Sequence, residues 1–215
     1  MPATVVSGVG PGVGSRRPGG GVPYNDRMLP ESTFLANQLL IAVPSLADPT
    51  FSRTVALVCR HNAEGAMGLV LNRSSELTLG DVLSQMGIDC DDPQRRGERV
   101  LAGGPVHTEL GFVLHDGAPR WDSCLQIADD LHLTTSRDVL TAIARGEGPQ
   151  RATLVLGCAG WGAGQLEQEL ADNSWITADY DPSLLFSLPL EARWEAAAGH
   201  IGVDIRRMTD YSGHA

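Results

Sequence analysis

The sequence predicts an α+β fold: a mixed, largely antiparallel sheet with helices packed on it, compact and globular. Three observations lead there. Two apolar runs around a Gly-ended polar loop form a hairpin signal early in the chain. Strand-length apolar runs crowd the first half of the ordered part. Amphipathic helical stretches with capping signals intersperse later.

Residues 1–33 hold seven Gly and five Pro and show no helical or strand period. A segment that cannot bury apolar area cannot offset its ordering entropy, so this stretch reads as disordered. An alternative is that translation begins at Met28, just before recognisable structure. Residues 34–215 read as a single domain.

"NQLLIAVP" (37–44) is a strand stopped by Pro44, and "SLADPTF" (45–51) a turn. "TVALVCR" (54–60) and "AMGLVLN" (66–72) are strands joined by the five-residue loop "HNAEG". Symmetric pairing puts Val55, Leu57 and Cys59 on one face with Met67, Leu69 and Leu71. Ala56, Val58, Gly68 and Val70 take the other face. Both are apolar, so this hairpin is expected to be covered on both sides. "TLGDVLSQMG" (78–87) is a helix with Thr78 as N-cap, Asp81 at capping-box spacing and Gly87 as its stop. "RVLAGG" (99–104), "LGFVLHD" (110–116) and "SCLQIAD" (123–129) are strands. "HLTTSRDVLTAIARGEG" (132–148) reads as a helix with Thr135 and Asp138 at capping-box spacing. "RATLVLG" (151–157) is a strand, "CAGWGAG" a Gly-rich turn and "QLEQELADN" (165–173) a helix. "SWITADYDP" is extended, and "LEARWEAAAGHIG" (190–202) is the last helix.

Charge excludes several function classes. All 16 basic residues are arginine, against 26 acids. Without lysine there is neither a Schiff-base lysine nor a phosphate-loop lysine. Residues 1–33 carry three Arg and two acids, leaving 13 Arg against 24 acids, a net of −11, in residues 34–215. Such a body repels phosphate backbones unless its arginines gather on one face, so direct nucleic-acid binding is not expected. The basic run "QRRGER" (94–99) beside "DCDD" (89–92) reads as a solvated loop.

The candidate ligand or partner contacts are His61, Asn62 and Glu64 on the hairpin loop, His115 at a strand end, and Gly164 and Gln165 where the Gly-rich turn enters a helix. Rigidly held polar loops of this kind carry recognition. Backbone N–H groups at the start of that helix would attract an anion, but Glu167 and Glu169 oppose one. The Gly spacing 157, 160, 162, 164 is not the dinucleotide fingerprint. Cys59 is a core cysteine or, two residues from His61, a redox thiol; with His115 and Asp116 it would make a nucleophilic triad on paper. The four cysteines at 59, 90, 124 and 158 lack the close pairing of a zinc site, so no metal and no cofactor are expected.

Together "LLIAVPSLADPTFSRTVALVCRHNAEGAMGLVLNR", "GGPV", "GFVLH", "AGWGAGQLEQEL" and "NSWIT" resemble the AlgH/YqgE family of bacterial proteins, and the ending resembles that family's Gly-His-Ala terminus. The resemblance runs from about Phe34 to Ala215. It implies a cytoplasmic bacterial protein of compact α+β fold, in a family labelled as transcriptional regulators without an established catalytic mechanism. Members usually carry Tyr where Cys158 stands, and His107 and residues 1–33 have no counterpart. The leading expectation is a non-enzymatic binding or regulatory protein acting indirectly, with an unidentified protein or small-molecule partner and no membrane association. The alternatives are a thiol enzyme or redox sensor using Cys59, and a direct DNA-binding regulator.

Overall fold

The computed structural model describes residues 35–208. The expectations for residues 1–33 and for the terminal Gly-His-Ala motif lie outside the described residues.

In chain order the strands are β1 (Gln38–Ala42), β2 (Val55–Asn62), β3 (Gly65–Val70) and β4 (Ser74–Thr78), followed by helices α1 (Leu79–Gln85) and α2 (Pro93–Arg96). Then come β5 (Arg99–Ala102), β6 (Val106–His115), β7 (Cys124–Ala128), β8 (Leu131–Thr134) and α3 (Arg137–Ala144). The chain continues as β9 (Ala152–Gly162), α4 (Gln165–Ala171), β10 (Trp175–Asp179), α5 (Pro182–Phe186) and α6 (Leu190–His200). The main path runs β10-β1-β2-β3-β9-β6-β8-β7, with β4 on β5 and β5 on β9. Among the described residues only the β5–β9 pairing is parallel. The fold is α+β with a largely antiparallel sheet, as the sequence predicts.

The hairpin has the two apolar faces its pattern demands. Val55, Leu57, Cys59, Leu69 and Leu71 belong to the main core. Ala56, Val58 and Val70 belong to a second cluster with Trp161, Leu166 and Trp175. The main core also joins Ala178 near one end of the sheet to Leu131 and Leu133 near the other, so the sheet curls around it. Helices α5 and α6 close this interior with Leu184, Leu185, Trp194 and Ala197. Trp194 Nε1 donates to the Ala42 carbonyl at 2.9 Å, fixing α6 to β1. A third cluster on another face carries α1 and α3: Leu79, Leu83, Val139, Leu140 and Ile143 pack over Val113 and Leu154.

Three local expectations change. The hairpin turn is only Ala63–Glu64, because Asn62 pairs with Gly65 and His61 with Ala66, so the expected loop is mostly strand. Residues 131–134 form β8, all four buried between β6 and β7, and the N-cap of α3 is Ser136 rather than Thr135. Burial in the sheet outweighs the local capping signal there. The Gly-rich stretch 157–162 is not a turn but the second half of β9, paired with β3. Glycine makes that possible: Gly157 has φ +71, and a Cβ on it would lie 2.6 Å from the Gly104 carbonyl oxygen. Helix α1, by contrast, has the Thr78–Asp81 capping box in full, with Gly87 at φ +64 beyond its end.

Candidate functional site

Five of the six expected contact residues meet at one corner. Gly65 on the hairpin pairs with Gly162 at the end of β9, and α4 starts three residues later. His61 is 6% exposed despite its polar ring. Its Nδ1 accepts the Leu35 N–H at 3.0 Å, which places the neutral ring's proton on Nε2, donating to Glu167 Oε1 at 3.0 Å. Asn62 Oδ1 accepts the Glu64 N–H at 2.9 Å, shaping the turn, and Glu64 itself is exposed. Gly164 sits at φ +72 as the residue before α4. Gln165 accepts the Gly162 N–H at 3.0 Å and donates to Glu169 Oε1 at 2.9 Å.

These bonds tie hairpin, β9 and α4 together. A further one was hidden in the sequence. Glu169 Oε2 accepts from both Trp161 Nε1, at 2.9 Å, and Trp175 Nε1, at 2.8 Å. The two rings meet edge to face at 6.2 Å, with Phe51 against both. Glu167 and Glu169 therefore both bond to buried ring N–H groups, Glu169 from a half-buried position and Glu167 from an exposed one. The legible signal was two large indoles in one cluster, each needing an acceptor once buried.

His115 does not join this corner. It pairs with Ala152 at the far end of β9, and the ten-residue offset to Gly162 spans roughly 30 Å of strand. It is fully buried, with Nδ1 donating to the Asp116 carbonyl at 2.8 Å and Nε2 facing Thr134 Oγ1 at 2.9 Å. Its ring stacks on His132 at 5.7 Å. Burial holds its pKa below the ordinary histidine value. The Asp116 carboxylate is turned to Arg151, at 2.9 Å, so the triad on paper does not assemble.

Cys59 meets neither requirement of a reactive thiol. A β-bulge between Val58 and Arg60 keeps it in the main core while His61 reaches α4 beyond the second cluster. It is 4% exposed, and burial, reinforced by neighbouring Cys158, pushes its pKa up to about 12. Among the described residues no group of three His, Cys, Asp or Glu side chains is placed to hold a metal ion. No described helix is long and apolar enough to cross a membrane.

An open concavity lies elsewhere, between α1 and α3. It is a cleft of about 440 Å³ whose floor is Leu154 and Leu156 of β9, with Leu77 of β4. Val82 of α1, Met86 at its C-terminal cap and Leu140 of α3 also line it. Thr108 and Glu109, with Thr135, Ser136 and Arg137, supply a polar rim. Gly111 keeps the floor low: a Cβ there would touch only the Leu154 and Leu156 side chains, at 3.4 and 3.9 Å. Sequence reasoning found the apolar faces of both helices but not the gap between them, because α1 and α3 are over fifty residues apart and only the fold opposes them. An apolar floor with a few rim hydroxyls and charges is the usual make-up of a small-molecule site, and this volume lies within the usual range.

Comparison with known proteins agrees with this architecture. A family model described as AlgH-like matches residues 39–206. A UPF0301 protein of Xanthomonas campestris pv. campestris (strain B100) is 63% identical over 183 residues, covering 85% of this chain and 97% of its own length. A UPF0301 protein of Xanthomonas oryzae pv. oryzae (strain PXO99A) matches at the same identity and coverage. The solution structure of the AlgH protein from Pseudomonas aeruginosa superposes with a TM-score of 0.71 at 48% identity, over 86% of this chain and 97% of that one. A Corynebacterium diphtheriae protein shares the fold at a TM-score of 0.66 and 21% identity, over 81% of this chain and 91% of that one. Family model, relatives and fold concur: the chain belongs to the AlgH-like family of bacterial proteins.

Proposed function

We propose that this chain is a non-enzymatic binding protein whose α1–α3 cleft receives a small molecule, and that its regulatory role is indirect, exercised through ligand binding rather than contact with DNA. One observation carries this reading: the cleft leaves an apolar floor and a polar rim open together, whereas the polar residues of the hairpin–α4 corner largely bond within the fold. A net charge of −11 over residues 34–215 favours this reading over a direct DNA contact. The four cysteines are free thiols, which fits action in a reducing compartment such as the cytoplasm.

A fragment screen read by ¹H–¹⁵N correlation spectra tests the proposal. Small amphiphilic fragments should shift the amides of Val82, Gly111, Leu140 and Leu154 together. A screen in which no fragment moves that set, or in which the hairpin turn responds instead, removes the basis for the cleft reading.

A further inference from the structure

Arg193, on α6, is 7% exposed. Its Nε donates to the Leu188 carbonyl at 3.1 Å, Nη1 to Leu71 at 2.5 Å and Nη2 to Leu185 at 2.7 Å. A guanidinium has five N–H donors, so two remain. Carbonyl oxygens satisfy hydrogen bonds but bring no formal charge, and none of the ion pairs among the described residues involves Arg193. Buried guanidinium groups are ordinarily matched by a carboxylate or a phosphate.

Arg193 lines two depressions that adjoin at Thr153. One, of about 250 Å³, also presents Arg95, Arg151 and Glu98. The other, of about 400 Å³, presents Arg99 and Glu191. Four arginines line the two depressions with Glu98 and Glu191, and Asp92 and Asp116 neutralise Arg95 and Arg151, so Arg193 and Arg99 are the arginines there without an ion pair among the described residues. Arg95 and Arg151 each hold one aspartate, Asp92 and Asp116, with Nε at 3.5 and 2.9 Å. Arg99 has no ion pair among the described residues.

We propose that these arginine-lined depressions form a binding site for a small phosphate-bearing molecule, with Arg193 at its base and Arg95, Arg99 and Arg151 around it. A planar carboxylate engages one guanidinium fork in one plane. A phosphate group offers several acceptor oxygens in tetrahedral directions and suits guanidinium groups on different elements. Glu98 and Glu191 repel any anion there, phosphate included, so binding depends on direct hydrogen bonds from the guanidinium groups. This site is separate from the α1–α3 cleft and stands or falls without it.

The test is titration of the full chain with inorganic phosphate at fixed ionic strength, read by ³¹P line broadening and calorimetry, with acetate as comparator. Saturable phosphate binding is expected, weakened about tenfold by Arg99→Gln or Arg95→Gln, each of which removes an exposed or half-exposed charge and leaves the unliganded melting temperature unchanged. Arg193→Met should abolish binding; if that variant does not fold, the Arg95→Gln/Arg99→Gln double variant carries the test. Absence of saturable binding, equal affinity for acetate, or indifference to both surface variants would overturn the proposal. So would duplex DNA displacing phosphate at far lower concentration, which would indicate a polynucleotide surface.

Discussion

Glu169 shows how much one side chain does at the hairpin–α4 corner. Its carboxylate is the acceptor for two indole N–H groups whose rings are 6% and 4% exposed. Glu169→Ala strands both donors, at about 1–3 kcal/mol each, so denaturant unfolding should show a loss of about 2–5 kcal/mol with altered tryptophan fluorescence. Glu167→Ala should cost under about 1 kcal/mol, because Glu167 is 48% exposed and water can replace it beside His61. His115 sets a pH limit. Its folded pKa lies below the unfolded 6.5, chiefly through burial, so the unfolded chain takes up the proton first. The stability it supports is complete above about pH 6.5 and declines as pH falls below that, by at most about 1.4 kcal/mol per pH unit. Thermal melts between pH 7.5 and 5 should show this slope, and His115→Gln should flatten it. At this scale the sequence was read well for Cys59, whose apolar strand foretold burial, and poorly for His61. Its bonds to Leu35 and Glu167 join positions 26 and 106 residues away, which no local pattern encodes.

Among the elements, β9 organises the sheet, pairing with β3, β5 and β6. Its crossing with the segment after β5 is a backbone-to-backbone contact. A Cβ on Gly104, at φ +150, would lie 2.3 Å from the Cys158 carbonyl, and one on Gly103 2.4 Å from the Gly157 oxygen. The two glycines of the "GGPV" motif are thus accounted for by packing. Gly104→Ala should abolish soluble expression of folded protein. Gly164→Ala, at φ +72 with open space around it, should cost only about 1 kcal/mol in the same denaturation assay. Elements with their own start and stop signals, such as α1 with Thr78, Asp81 and Gly87, were legible in the sequence. Those set by neighbours were not. β4, α2 and α5 are four or five residues long, and β8 hides inside a helix-like pattern because its four residues are all buried in the sheet.

For the whole molecule, alternating and two-sided apolar runs were enough to indicate an α+β fold with a covered hairpin. They could not show that the hairpin, α4 and β9 would spend their polar groups on one another. Nor could they show that α1 and α3 would stand apart over Leu154 and Leu156. The candidate site is consequently not the most polar loop but a gap in the apolar packing between α1 and α3. The direct measurement is fragment binding to Gly111→Leu. A Cβ there meets the Leu154 and Leu156 side chains at ordinary contact distances and the cleft leaves room beyond it, so the fold should persist. A fragment that perturbs Val82, Leu140 and Leu154 in the native chain should lose its binding in this variant. Undiminished affinity in a folded Gly111→Leu protein would contradict it.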